Sequence, residues 1–322
     1  MPIKIPNDLP ASKILKEENI FVMDETRALS QRIRPLKLII VNIMPTKIVT
    51  ETQLLRLLSN TPLQIEVDWL CMESHNSKNT SQEHLMEFYK TFNEIKDNKY
   101  DGLIVTGAPV EKLKFEDVDY WDELTNIFDW ANTNVFSSFF ICWASQASLY
   151  YYYGVEKYQL KEKLTGVYHH HTNPEKMRRR ILRGFDYQFY APHSRYTAVK
   201  KEDIEKIDSL DILASSNDAG VYLVAEKDGS RFFVTGHPEY DPDTLDKEYH
   251  RDLAKGGDCV MPKNYYKNDD VNDEILVKWR SHAYLLFSNW LNYYVYQNTP
   301  YNLDDLLKMK TTNKGALNNR VL

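Results

Sequence analysis

Only three cysteines occur in the 322 residues, Cys71, Cys142 and Cys259. They are far apart and odd in number, which points away from both a disulfide framework and a thiolate zinc site. No stretch approaches the ~18 uncharged apolar residues of a membrane span. The opening M-P-I-K-I-P-N-D-L-P has no apolar leader core. Together these absences predict a cytoplasmic protein with no membrane partner. Positive charge is not in excess either. The formal net charge is -6, and the one dense basic cluster, K-M-R-R-R at 176–180, is too short and isolated to form a nucleic-acid face. There is no internal repeat and no G-x-G-x-x-G, so a dinucleotide site is not expected. The triplet His169-His170-His171 is no better as a metal site: neighbours on a strand face opposite ways, and no cysteine lies nearby.

What is present is an alternation of strand and helix patterns long enough to bury a sizeable core. Residues 37–44 (K-L-I-I-V-N-I-M) form an apolar run too continuous for a half-exposed strand. Pro45-Thr46-Lys47 breaks it, and 49–58 follows as a helix with a leucine face. The pattern repeats as a strand at 63–70 and a helix at 81–95, then a strand at 100–107 and a helix at 121–131. A last unit runs through an apolar strand to Cys142 and a helix from Trp143. Such a series predicts an α/β fold: an open, mainly parallel sheet with helices on both faces and sites at the carboxyl ends of the strands.

Around this unit, residues 1–34 are expected to wrap the outside, with an amphipathic piece at 28–33. The stretch 155–210 reads as loops and short strands over the rim. Two strands at 220–225 and 230–235 flank the turn Lys227-Asp228-Gly229, a final helix is expected at 272–296, and 299–322 reads as a flexible tail. The catalytic unit is therefore placed at 35–298. Of the 22 tyrosines, clusters at 150–153 and 293–296 suit a wet interface between subunits, hence a homodimer.

Chemistry concentrates at Cys142. A residue between a strand and a helix sits on a tight turn, and the first helical amides point at whatever its side chain holds. The helix N-terminal field favours a thiolate there and would stabilise an adjacent oxyanion. Lys47 and Glu111 fall just past strand ends on the same rim. His237 ends another strand, with Glu239 two residues on, the pairing an imidazole base needs to fix its tautomer. Lys47 could lend positive charge to a phosphate or carbonyl oxygen, while Lys163, Ser194 and Arg251 could hold an amino-acid substrate. Each of these also reads as an ordinary surface residue, and Cys142 as an inert core cysteine in a binding protein. A Cys-His-Glu set performs acyl transfer through a thioester. Whether water, glutamine or an alcohol takes part is not decided by these residues.

Six segments narrow the choice: I-M-P-T-K (43–47), T-G-A-P-V-E (106–111), I-C-W-A-S-Q-A (141–147), K-L-T-G-V-Y (163–168), F-Y-A-P-H-S-R-Y (189–196) and T-G-H-P-E-Y (235–240). Together they closely resemble the MetA-type homoserine O-acyltransferases, whose fold is similar to class I glutamine amidotransferases. The resemblance implies that Cys142 is the acyl-thioester nucleophile, His237 the proton acceptor, Glu239 the third catalytic member and Lys47 the active-site lysine. It implies substrate contacts at Lys163, Ser194 and Arg251, and donor choice at Glu111. Trp143 N–H and a second donor near Lys47 would hold the oxyanion. The substrates implied are L-homoserine and acetyl-CoA, with no resident cofactor. Succinyl users typically carry glycine where this chain has Glu111; a side chain there takes volume, and its carboxylate opposes that of a succinyl group. The alternatives are a succinyl-CoA donor, a glutaminase-like amidotransferase with a synthase partner, and a non-catalytic binding protein.

Overall fold

A computed structural model describes residues 3–4, 9–17, 22–23, 34–75, 79–256 and 259–306. The amphipathic piece at 28–33 and most of the tail lie outside these residues. The first strands are two residues each, β1 (Ile3–Lys4) and β2 (Val22–Met23), with α1 (Pro10–Glu17) between them. The chain then alternates: β3 (Leu36–Val41), α2 (Lys47–Leu58), β4 (Ile65–Leu70), α3 (Gln82–Phe88), β5 (Tyr89–Lys90), α4 (Phe92–Ile95), β6 (Tyr100–Val105), α5 (Trp121–Asn134), β7 (Val135–Ile141) and α6 (Trp143–Tyr153). Two long strands follow, β8 (Lys157–Thr172) and β9 (Gln188–Val199), then α7 (Lys201–Glu205), β10 (Leu210–Ser216), β11 (Gly220–Glu226), β12 (Arg231–Val234), α8 (Thr244–Ala254) and α9 (Arg280–Trp290).

All strands belong to one sheet, ordered β2-β1-β4-β3-β6-β7-β12-β11-β10-β8-β9, with β5 on β4. From β2 to β12 every pairing is parallel; from β12 to β9 every pairing is antiparallel. The parallel half is the open α/β sheet that the apolar runs predict. Alternate residues feed two cores: Leu38, Ile40 and Phe139 pack on one face with α2 and α9, and Ile39, Val41 and Phe140 on the other with α5 and α6. The carboxyl ends of β3, β6, β7 and β12 thus lie side by side on one rim.

Several expectations are corrected. The stretch 155–210 holds not short strands over the rim but the longest strands of the sheet, β8 and β9, and the unanticipated β10. The first half of β8, K-Y-Q-L-K-E-K, is largely exposed beyond a register break between Gln159 and Leu164, so it shows no apolar run. The helix expected at 81–95 breaks where Tyr89 and Lys90 pair with β4, and Thr91 starts α4 with a capping box to Glu94. The last helix begins at Arg280, not 272. Before it, Lys267 N and Leu276 N donate to Glu274 O and Tyr265 O, holding an irregular hairpin over Trp279. At its end the helix widens into a π-turn at Leu291–Tyr296. Among the described residues, no helix is long and apolar enough to cross a membrane. The tyrosines of 150–153 are half-buried against the core on the α5 side: Tyr152 donates to Phe128 O, and Tyr150 and Tyr153 to Glu116 and Glu226.

Candidate active site

β7 delivers Cys142 to the rim in a conformation few side chains adopt. Its φ is 51° and ψ -114°, a sharp turn that lets α6 start at the next residue. Cys142 N donates to Val234 O of β12 at 2.7 Å, while its carbonyl accepts from Ser145 N, Gln146 N and the Ser145 hydroxyl. Ser145 therefore closes the first turn beneath the cysteine. The Trp143 amide opens α6, where the first turn of a helix carries amides without intrahelical partners. Gly154, at φ 69°, ends the helix in the left-handed region.

β12 ends against the same point. His237 N donates to Pro192 O of β9, its Nδ1 meets Glu239 Oε1 at 2.7 Å, and its ring stacks on Tyr240 with centroids 4.1 Å apart. Both His237 and Glu239 are buried. Burial alone would push the imidazole toward neutrality. The Cys142 thiolate and the Glu239 carboxylate, each hydrogen-bonded to it, overcome that and hold His237 well above its ordinary pKa. The geometry is that of a cysteine–imidazole pair braced by a carboxylate. The second oxygen of Glu239, Oε2, is buried without a partner.

Gly107, which the sequence marks only as the end of a strand, lies between the two reacting groups. A Cβ built on it would stand 3.2 Å from Cys142 Cβ and 3.3 Å from His237 Cε1. Gly107→Ala should therefore push cysteine and imidazole apart by a few tenths of an ångström. The expected outcome is a fall in kcat of about tenfold, with the melting temperature within a few degrees of wild type; unchanged kcat would show that the gap is not critical.

The other rim residues fall into two groups. Glu111 lies on the loop after β6. Burial pushes its carboxyl up, while its own backbone N–H and the positive charges of His237 and Lys163 pull it back, so it lies within electrostatic reach of both. Lys157 of β8 donates to Glu111 O at 2.8 Å and to Leu113 O, and lies over the Phe115 ring, which pins that loop. Lys163 binds Asp252 at 2.8 Å, Arg251 pairs with the same Asp252, and Ser194 donates to Glu248 Oε2 at 2.5 Å. Glu248 of α8, absent from the sequence reading, also accepts from Tyr240, the ring under His237. It ties the Ser194 and Lys163 group to the catalytic pair. Nothing in its surroundings in sequence marks it: Leu245 is the only buried residue of α8.

Lys47 belongs to the second group. Its ammonium donates to Asn42 O and lies 5.6 Å from the Tyr89 ring centre. Its titratable neighbours are Cys71 and Glu51, not Cys142. Burial lowers it to about 8 against the opposing pull of those two groups. Glu51, fully buried, accepts from His84 and Tyr89. The histidine triplet divides as strand alternation requires, His170 inward and His169 against His171 outward. Among the described residues, no three His, Cys, Asp or Glu side chains are grouped for a metal ion.

The chain matches the family described as homoserine O-succinyltransferase over residues 2–301. It is 72% identical to the homoserine O-acetyltransferase of Catenibacterium mitsuokai, over 96% of this chain and 100% of that one. It is 60% identical to the homoserine O-acetyltransferase of Petrotoga mobilis, over 95% of this chain and 98% of that one. Among solved structures it is similar to a glutamine amidotransferase of Thermotoga maritima, with a TM-score of 0.52 and 12% identity, covering 81% of this chain and 98% of that one. A glutamine amidotransferase of Methylobacillus flagellatus gives 0.50 and 11%, over 81% and 95%. At such identities the likeness concerns the fold alone, and it agrees with the open α/β sheet expected from the sequence.

Proposed function

From the premise that this chain belongs to the homoserine O-succinyltransferase family, we propose that it is a homoserine O-acetyltransferase, moving an acetyl group from acetyl-CoA to the hydroxyl of L-homoserine. The observation that carries the donor assignment is Glu111, a largely buried carboxyl on the rim loop within electrostatic reach of His237 and Lys163. A succinyl chain would bring its own carboxylate against that group, whereas an acetyl group brings none.

The cycle has two halves. Cys142 Sγ attacks the thioester carbon of acetyl-CoA, and the Trp143 amide with a second backbone donor on the rim holds the oxyanion. The carbon–sulfur bond to CoA breaks, and the leaving thiolate takes the proton of the His237 imidazolium. Acetylation removes the thiolate charge that helps to keep His237 protonated. The imidazole is then a base for the second half. It takes the hydroxyl proton of homoserine, the alkoxide oxygen attacks the acetyl carbon, and Cys142 leaves as thiolate. Arg251 and Lys163 would receive the homoserine carboxylate, and Glu248 with Ser194 its ammonium, by exchanging their present partners in the group around Asp252. Lys47 supplies positive charge at the adjoining end of the rim. No resident cofactor enters this scheme. A cytoplasmic homodimer completes the proposal; the dimer rests on the sequence resemblance and on the half-exposed tyrosine clusters.

The donor assignment is tested by the ratio of kcat/KM for acetyl-CoA and succinyl-CoA. Wild type should favour acetyl-CoA, and Glu111→Gly should move the ratio toward succinyl-CoA by about 10² to 10³-fold. The glycine also loosens the loop, so both rates can fall while the ratio moves. A wild-type preference for succinyl-CoA would overturn the donor and leave the acyl-enzyme chemistry standing; a ratio untouched by E111G would place donor selection on another residue.

A further inference from the structure

Behind the catalytic pair lies a cation that the mechanism above does not use. Arg195 of β9 is buried, and among the described residues no acidic side chain is within ion-pairing distance of it. Its guanidinium donates to Thr197 O at 2.8 Å, to Ala219 O, and through Nε to His193 Nδ1 at 3.4 Å. His193 Nε2 meets His170 Nε2 at 3.0 Å, and His170 Nδ1 meets Tyr168 O at 2.9 Å. A carbonyl can only accept, so His170 Nδ1 carries the proton and its Nε2 accepts from His193. That leaves His193 Nδ1 free to accept from Arg195. Each ring is held in one neutral tautomer. Burial lowers His170 to about 3 and pushes His193 well below its ordinary value, so neither ring competes with Arg195 for charge.

This chain of groups touches the site on two sides. Thr197 O, which receives Arg195, also accepts from Gln146 Nε2, and Gln146 N donates to Cys142 O. Arg195 therefore stands against the first turn of the nucleophile helix. On the other side Pro192 O, three residues earlier on β9, receives His237 N.

We propose that Arg195, aimed by His193 and His170, is a positioning residue: a fixed buried positive charge that offsets Glu239 and keeps Cys142 and His237 as thiolate and imidazolium. The argument is one of charge balance in a buried place. Thiolate, imidazolium and Glu239 alone leave a net negative charge away from water, which is costly. With Arg195 this group of four is neutral, Glu111 beside it having Lys163 as its own counter-charge. It stays neutral after acetylation, when the thioester and imidazole are uncharged and only Glu239 and Arg195 remain. Cys142 is among the groups that support the Arg195 charge against burial. The titratable and charged groups facing the pair are His237, Glu239 and Tyr240 from the segment after β12, Arg195 and His193 from β9, Tyr222 from β11, and Glu111 from the loop after β6. Tyr158 and Tyr168 of β8 face Arg195.

The inference rests on Cys142 as nucleophile but not on the identity of either substrate, so it is tested without acyl transfer. Cys142 is alkylated with iodoacetamide across pH 5–10 and read at the level of its own peptide, which separates it from Cys71 and Cys259. Each variant is also melted. Arg195→Met should raise the midpoint of labelling by about one unit, a tenfold slower reaction below it, while Arg195→Lys should stay close to wild type. A folded R195M with an unmoved midpoint, or an R195K shifted as far as R195M, overturns the proposal. Should R195M fail to fold, His193→Phe decides: it keeps the cation and removes the acceptor that aims it. A midpoint raised by a few tenths supports the proposal, and an unmoved one overturns it. Failure of acetyl-CoA to label Cys142 in wild type, with these shifts intact, would count against the proposed function alone.

Discussion

Cys142→Ser is expected to fold as wild type does and to lose turnover by ~10⁴-fold or more. The oxygen replaces sulfur with little change in volume, and the backbone bonds of residue 142, from its N–H to Val234 and from Ser145 and Gln146 to its carbonyl, do not involve the side chain. What changes is the charge. Serine stays neutral beside His237, the imidazole loses the thiolate that raises it, and no anion is poised for attack. Intact mass after a brief exposure to acetyl-CoA should show one added acetyl group on wild type and none on C142S. A variant that still turns over at the wild-type rate, or one that fails to fold, would remove Cys142 from the mechanism.

Glu239→Gln should lower kcat by about 10² to 10⁴-fold. The amide oxygen can still accept from His237 Nδ1, so the ring keeps a partner. The charge that favours the imidazolium is gone, and an amide can also turn its NH₂ toward the ring and trap the wrong tautomer. Stability should hold, because the native carboxylate buries an oxygen with no partner and an amide is cheaper to bury. Steady-state rates and a melting curve on the same preparation separate the two effects. A kcat equal to wild type would reduce Glu239 to a structural role.

Much of this site could be read in the sequence because its pieces sit at the ends of strongly apolar strands. β3, β6 and β7 are buried on both faces, so their runs stop sharply and leave Lys47, Glu111 and Cys142 just past the stops. His237 and Glu239 follow β12 in the same way. Legibility failed where the sheet is polar. β8 and β9 bury His170, His193, Ser194 and Arg195, side chains whose partners (each other, backbone carbonyls and Glu248 of α8) are brought to them only by the folded sheet. Nothing local marks such a ladder, so loops were expected there. The hairpin before Trp279 failed for a related reason. Its aromatic spacing suits a helix, but its backbone groups are bonded to Tyr265 and Lys267, which lie before it in the chain. Gly107 was visible as a glycine, while its place between cysteine and imidazole depends on three strand ends meeting.

The left-handed turn at Cys142 has a consequence for how this protein can change over generations. A side chain held at φ 51° and ψ -114° costs about 1–3 kcal/mol, and glycine is the residue that would release most of it. The position therefore sets robustness against purpose. Under any regime that rewards heat resistance alone, a lineage is drawn toward glycine at 142, which would fold more firmly and carry no sulfur. Lasting gains in stability have to come from places where nothing is held under tension for the reaction, and the cysteine persists only as long as its product is needed.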